Sequence, residues 1–188
     1  MSMQPEEAGK TQRQRFLTRF VRNRRGSVAM EFTLLAVPFL LLVFAIIESC
    51  ISFAGQQLLA NITDDVARQI RTGQLKPADI SETSLKKLIC DDLKILVSED
   101  CPGLEVDLRE FPTFAKAAEV RIKLTPDRDL DTTDFDVSPG LSMSKNMLRV
   151  FYKWPVITDF MSKVVSNLKG GKTLLFASVT WQNEPFDD

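Results

Sequence analysis

Between Phe32 and Ile47 no residue carries a charge, and between Phe32 and Gly55 only Glu48 does. Nothing else in these 188 residues limits the fold so strongly. A helix needs about 20 apolar residues to cross about 30 Å of hydrocarbon, so residues 28–52 are long enough to span a membrane. The nearest charges outside residues 28–52 are Arg24 and Arg25 on one side and Asp64 and Asp65 on the other. Lys and Arg gather on the cytoplasmic flank. A single pass through the inner membrane is therefore expected, with the N-terminus cytoplasmic and the remaining chain periplasmic.

The charge distribution agrees. Residues 1–26 hold seven Lys/Arg against Glu6 and Glu7, a net +5, which leaves -6 for the rest of a chain whose total is -1. A basic leader and an acidic body divided by an apolar run is a membrane-protein pattern. An Arg-rich leader also suits nucleic acid, but no aromatic interleaving or binding module accompanies it, so no nucleic-acid partner is expected. A secretory signal has an apolar core of about 7–15 residues, shorter than this one, although Ser52-Phe53-Ala54 would pass as a weak cleavage site. Lipidation at Cys50 is excluded because Glu48 stands where that motif wants a small or apolar residue.

The helix is predicted to outrun the membrane. Leu59, Ile62, Val66 and Ile70 recur at spacings of three and four on one face, and Gly73 supplies a stop. From Ser27 to Thr72 such a helix is roughly 69 Å long at 1.5 Å per residue, and Pro38 should bend it within the membrane. A second helix is expected over 79–97, capped by Asp79 with Glu82 reaching back. The period then changes to two. Leu104, Val106 and Leu108 predict one strand with a solvated polar face, Val120, Ile122 and Leu124 another, and Met147–Tyr152 and Thr173–Trp181 two more. A short helix from Pro155 to about Leu168, ended by Gly170-Gly171, separates the last two, and residues 125–146 read as a polar loop. The fold class is α+β: a long N-terminal transmembrane helix extending into a small exported domain, with an antiparallel sheet and packed helices. The organisation is 1–26 basic cytoplasmic leader, 27–73 long helix, and 74–188 exported domain.

Chemistry-bearing residues are few. The chain has no histidine, which removes His-activated nucleophiles and His-ligated zinc. Asp127, Asp129 and Asp131 match the first half of an EF-hand loop, but Thr132 occupies the glycine position and Ser138 the bidentate glutamate position. A solvated acidic loop is the better reading. Gly171-Lys172-Thr173 resembles the end of a phosphate loop, but Ser166 replaces the earlier glycine and the order is helix then strand. Tyr152, Trp154 and Trp181 are expected in the core rather than on a binding face. No catalytic residue, metal site or cofactor is expected. Cys90 and Cys101, in the exported part where thiols oxidise readily, are expected to form a disulfide, with Cys50 free.

The junction of leader and apolar helix is more specific. Gly26-Ser27-Val28-Ala29-Met30-Glu31-Phe32 sets a basic leader, a glycine, four residues and a glutamate before an apolar helix. That is the layout of a prepilin-type processing site, with cleavage after Gly26, Ser27 as the new amino terminus and Glu31 as mature position five. A carboxylate at the start of a membrane span is costly and points to function. In low dielectric it can pair with a terminal amine. The plain alternative is that Glu31 snorkels at the interface.

Residues Arg25 to Gly73 resemble the TadE-like domain of the TadE/TadG family, minor pseudopilin-like components of the tight-adherence (Flp) type IV pilus system. The later segments Val150-Phe151-Tyr152-Lys153-Trp154-Pro155 and Trp181-Gln182-Asn183-Glu184-Pro185-Phe186 are similar as well, and Cys90 and Cys101 occupy the places of a cysteine pair often seen there. Phe32 stands where Flp-type sites favour tyrosine. The chain lacks room for the large extra domain of TadG-type members. The resemblance implies a minor pilin or assembly factor that works by membrane insertion and contact rather than catalysis. Its implied partners are a prepilin peptidase, the major Flp pilin and other minor pilins or platform proteins. The rival reading is a membrane-anchored periplasmic binding or sensor domain with no pilus.

Overall fold

A computed structural model describes residues 27–187. Helix α1 runs from Ser27 to Arg71 with Pro38 inside it. Two compact units divide within α1, one ending at Ile46 and the other beginning at Ile47.

In the first unit the described residues are helical throughout, and their apolar side chains point outward. Phe32, Leu34 and Leu35 are each at least 70% exposed. The Thr33 hydroxyl donates to the Ala29 carbonyl at 2.8 Å, satisfying itself within the helix. In the most apolar 18-residue window of α1 only 6% of the residues are buried. By length and composition this part of α1 is long and apolar enough to cross a membrane.

The second unit is α+β. After α1 come a 3-10 turn Pro77–Asp79, α2 (Glu82–Leu93), β1 (Leu104–Phe111), α3 (Phe114–Ala118), β2 (Val137–Ser138), β3 (Lys145–Pro155), α4 (Asp159–Val165) and β4 (Lys172–Gln182). The sheet order is β2-β1-β3-β4. β1/β3 and β3/β4 are antiparallel, while β2 pairs parallel with β1 through Leu108↔Val137. The sheet is thus mixed: the loop expected over 125–146 contributes a two-residue parallel edge to an antiparallel core.

Register explains the core. Leu104, Val106 and Leu108 lie opposite Tyr152, Val150 and Leu148, and these lie opposite Leu175, Ala177 and Val179. Alternation puts all nine on one face. Leu59, Ile62, Val66 and Ile70 of α1 and Leu85, Ile89 and Leu93 of α2 share one buried cluster with that face.

Three expectations need correction. Val120–Leu124 is not a strand. Thr125 and Asp129 close a tight turn at Pro126-Asp127, with the Thr125 amide donating to the Asp129 carbonyl at 2.8 Å. Only the isolated bridge Leu124↔Leu130 forms, leaving Ile122 and Leu124 exposed. The second helix is shorter than 79–97 and starts later. Pro77 turns the chain through Asp79, and Ser81 is the cap, its reciprocal partner being Ser84 rather than Glu82. The polar face of β1 is not solvated: Asp107 is fully buried. Residues after β1 fold across that face, where Phe135 stacks on Phe151 at 5.1 Å and Phe151 on Phe176 at 5.0 Å between ring centroids.

Candidate functional site

At the processing motif, Gly26 lies outside the described residues. Ser27 is the first residue of α1, and Glu31 stands four residues on, about one turn, on an exposed part of the helix. The motif is continuous with the helix that carries the apolar run.

Beyond Ile46 the same helix becomes a docking element. Its first anchor is Glu48, the carboxylate within the apolar run, which is only 9% exposed. It accepts hydrogen bonds from the Ile157 and Thr158 amides and from the Thr158 hydroxyl. Thr158 is the cap residue of α4 but makes no capping bond with its own side chain, so Glu48 supplies the acceptor at that helix start. Seven residues on, Gly55 admits Trp154. A Cβ there would sit 2.8 Å from the indole ring, which backbone-only glycine avoids. Gln56 then treats the outer edge of β4 as a neighbouring strand would. Its amide nitrogen donates to the Phe176 carbonyl at 2.8 Å, and its oxygen accepts from the Phe176 amide at 3.2 Å. The edge is thereby satisfied locally. Leu59, Ile62, Val66 and Ile70 complete the stripe at helical spacing.

The far end of α1 is closed by the C-terminal segment. Gly73 has φ +72°, and a Cβ on it would meet Phe186 at 2.7 Å. The Glu184 amide donates to the Arg71 carbonyl at 2.9 Å, covering one of the carbonyls that a helix end leaves unpaired. Trp181 is buried, and its indole nitrogen donates to Asn183 at 2.7 Å. Tyr152 and Trp154 are likewise buried in the core cluster. Burial pushes the Tyr152 phenol up.

Cys90 at the end of α2 and Cys101 before β1 are joined by a disulfide with Cα atoms 5.8 Å apart; Cys50 is a free thiol and exposed. Lys86 further ties α2 to β1, reaching Glu82 and Glu105 at 2.8 Å each.

On the opposite face of the sheet, Asp107 and Arg149 sit directly across the β1/β3 pair. Both are almost completely buried, and the guanidinium donates to Asp107 Oδ2 through Nε at 2.8 Å and Nη2 at 2.6 Å. Asp107 Oδ1 accepts from the Asp136 amide at 3.1 Å, and Arg149 lies over the rings of Phe135 and Phe151. Arg109 also reaches Asp107 at 2.9 Å, so loss of Arg149 leaves the carboxylate that partner, whereas loss of Asp107 strands the buried Arg149 guanidinium.

The aspartates of the 125–146 loop do local work. Asp129 meets Lys153 at 2.7 Å, Asp134 meets Lys123, and Asp131 accepts from Thr133. The Lys153 ammonium holds the Asp129 carboxyl below the usual range, against the opposing pull of burial and with help from the Leu130 amide.

This arrangement defines a class: an anchor helix whose first part suits a membrane by length and composition, and whose second part is the spine of a small α+β domain. The family model described as TadE-like protein matches residues 26–68, so the chain carries a TadE-like segment that opens at Gly26 and follows α1 almost to its end. No curated protein and no solved structure matches the chain significantly.

Proposed function

We propose that the chain is a minor pilin or pseudopilin-like assembly factor of a tight-adherence (Flp) type IV pilus, acting by membrane insertion and protein–protein contact. The observation that carries this reading is the TadE-like match, which starts at residue 26 and covers the whole apolar stretch of α1. In this reading residues 1–26 are a cytoplasmic leader, 27–73 form the anchor helix, and 74–188 form a periplasmic domain. A prepilin peptidase cuts after Gly26. Glycine has no side chain, which lets backbone approach a membrane-embedded active site closely. Glu31, one turn from the new Ser27 amine, then offers a carboxylate to a subunit's terminal amine in a low-dielectric bundle. The partners are the peptidase, the major Flp pilin, and other minor pilins or platform proteins.

N-terminal sequencing of the protein from its native envelope tests this. The mature chain should begin Ser-Val-Ala-Met-Glu, and Gly26→Val should retain the leader with its seven basic residues. A wild-type chain still starting at Met1 in cells with a working pilus system would instead favour an anchored periplasmic binding or sensor domain.

A further inference from the structure

Two arginines converge on one buried carboxylate on the second face of the sheet. Asp107 and Arg109 stand two residues apart on β1 and so share a face, and Arg149 lies across from Asp107 on β3. The Asp107 side chain is fully buried, that of Arg149 is 4% exposed and that of Arg109 25%. A guanidinium carries five N–H donors. Arg149 directs Nε and Nη2 to Asp107 Oδ2, and its Nη1 is buried with no acceptor among the described residues. Arg109 Nη2 donates to the same oxygen at 3.1 Å. Its Nε, 2.9 Å from Oδ1, is ion-paired there without the alignment of a hydrogen bond. Buried donors are nearly always satisfied, and one carboxylate does not neutralise two guanidiniums.

A cleft opens beside them. About 410 Å³ in volume, it is lined by Arg109 and Arg149, by Arg121 and Lys123 from the segment after α3, and by Val120 and Phe135. Glu119, Asp131 and Asp134 line it too, and most of this charge is already engaged. Lys123 pairs with Asp134 and Glu119 with Lys116, while the Asp131 carboxylate accepts from the Thr133 amide and hydroxyl. With Lys116 and the buried Asp107 counted, the cations are Arg109, Lys116, Arg121, Lys123 and Arg149. The carboxylates are Asp107, Glu119, Asp131 and Asp134, so five positive charges meet four negative ones, a surplus of +1.

We propose that this cleft binds a monocarboxylate. The ligand's oxygens accept from Arg149 Nη1 and from the donors of Arg109 that Asp107 leaves over. Arg121 adds positive charge, and Val120 and Phe135 face the ligand's apolar body. Charge-assisted bonds from guanidinium groups are strong and fix the orientation of a carboxylate. One negative charge matches the surplus, and Glu119, Asp131 and Asp134 repel a second. A free organic acid and an acidic side chain of another protein present the same group. The site lies wholly within the second unit, and it depends neither on the pilus reading nor on cleavage after Gly26.

The test titrates the full chain, in mild detergent at neutral pH, with butyrate, with N-acetylglutamic acid α-amide and with sulfate, chloride holding the ionic strength constant. Arginine side-chain Nε–H signals are followed by NMR. Both carboxylates should move the Arg109 and Arg149 signals along a saturating one-site curve. The signal of Arg68, whose pair with Asp65 is exposed, should stay still. Tighter binding of butyrate identifies a free acid as the ligand, and tighter binding of the glutamate derivative a carboxylate carried on a protein. Arg109→Gln keeps the Asp107–Arg149 pair, removes the surplus charge and should weaken binding about tenfold or more. Arg121 is exposed, so Arg121→Gln leaves the fold intact and should weaken binding severalfold. Lys163→Gln, an exposed cation that does not line the cleft, should change nothing. Shifts that never saturate and are equal at Arg68 and Arg149 would overturn the site, as would unchanged affinity in both Arg109→Gln and Arg121→Gln. Sulfate binding more tightly than either carboxylate would overturn the choice of a singly charged ligand.

Discussion

The two parts of α1 are made from similar residues and meet different surroundings. Up to Ile46 leucines and phenylalanines occupy every side of the helix and are mostly exposed, whereas from Leu59 onward the large apolar residues keep to one stripe and are buried. Length and mean hydropathy identify the first part, and spacing identifies the second. Leu35 in the first part exposes most of its surface. Leu59 in the second belongs to the buried cluster shared with the sheet, so composition alone says little about what a substitution will cost.

The sharpest way to break this comparison is to shorten one leucine in each part. Leu59 is fully buried, so Leu59→Ala should destabilise the domain by about 2–5 kcal/mol through lost transfer energy and the cavity left behind. Leu35 is 70% exposed, and Leu35→Ala should change domain stability by less than about 0.5 kcal/mol. Denaturant titration of the full chain in mild detergent, followed by Trp154 and Trp181 fluorescence, measures both. Equal effects would mean that the two parts of α1 form one cooperative structure with the domain.

Glu48 marks the change from one regime to the other, and its removal should have the next largest effect. Glu48→Ala leaves the Ile157 and Thr158 amides without their acceptor, at a cost of about 1–3 kcal/mol. Glu48→Gln keeps one acceptor oxygen and should lose less. The signature to look for is local: protease cleavage or amide exchange around residues 156–165 should rise in Glu48→Ala while β1 and β3 remain protected. Uniform loss of protection would assign Glu48 to the global core instead.

The sequence reveals elements whose signal is local. The apolar run and the three-and-four spacing give α1 to within one residue of its end at Arg71. Period-two alternation locates β1, because it presents one continuous apolar face to the helices. It fails at Val120–Leu124, where the same pattern has no partner strand and a turn at Pro126 folds the chain back. Contacts between distant residues leave little trace. Glu48 finds Ile157 across 109 positions, and Asp107 finds Arg149 across 42. One hint existed for Glu48: a single carboxylate inside an apolar run is costly unless something satisfies it, the same logic that draws attention to Glu31. Asp107 gave no hint, since an acidic residue in an alternating strand looks solvated until a loop closes over it. The processing chemistry expected at Gly26 and Ser27 rests on the order of basic leader, glycine, glutamate and apolar helix, and Gly26 lies outside the described residues.

The smallest expected effect concerns how far the packing over the sheet's second face depends on groups that titrate. Asp129 holds the 125–146 loop to β3 through Lys153, and its carboxyl is held below the ordinary value of about 3.9. A folded-state value lower than the unfolded one adds stability that is fully present above the unfolded value. That stability is lost as pH falls through the unfolded and then the folded value. The loop should therefore loosen below about pH 4 and be insensitive between about pH 5 and 8. Asp129 is partly exposed, so solvent screening keeps the contribution under about 1 kcal/mol. Asp129→Asn should flatten the acid limb of stability against pH by that amount and leave the neutral plateau lower by the same amount. Lys153→Met, which keeps most of the apolar stem, should do likewise. The double variant should cost no more than either change alone, because the two residues share one interaction. Stability measured by denaturant titration at closely spaced pH values reads all three. An unchanged acid limb in Asp129→Asn would place the acid sensitivity on another carboxylate.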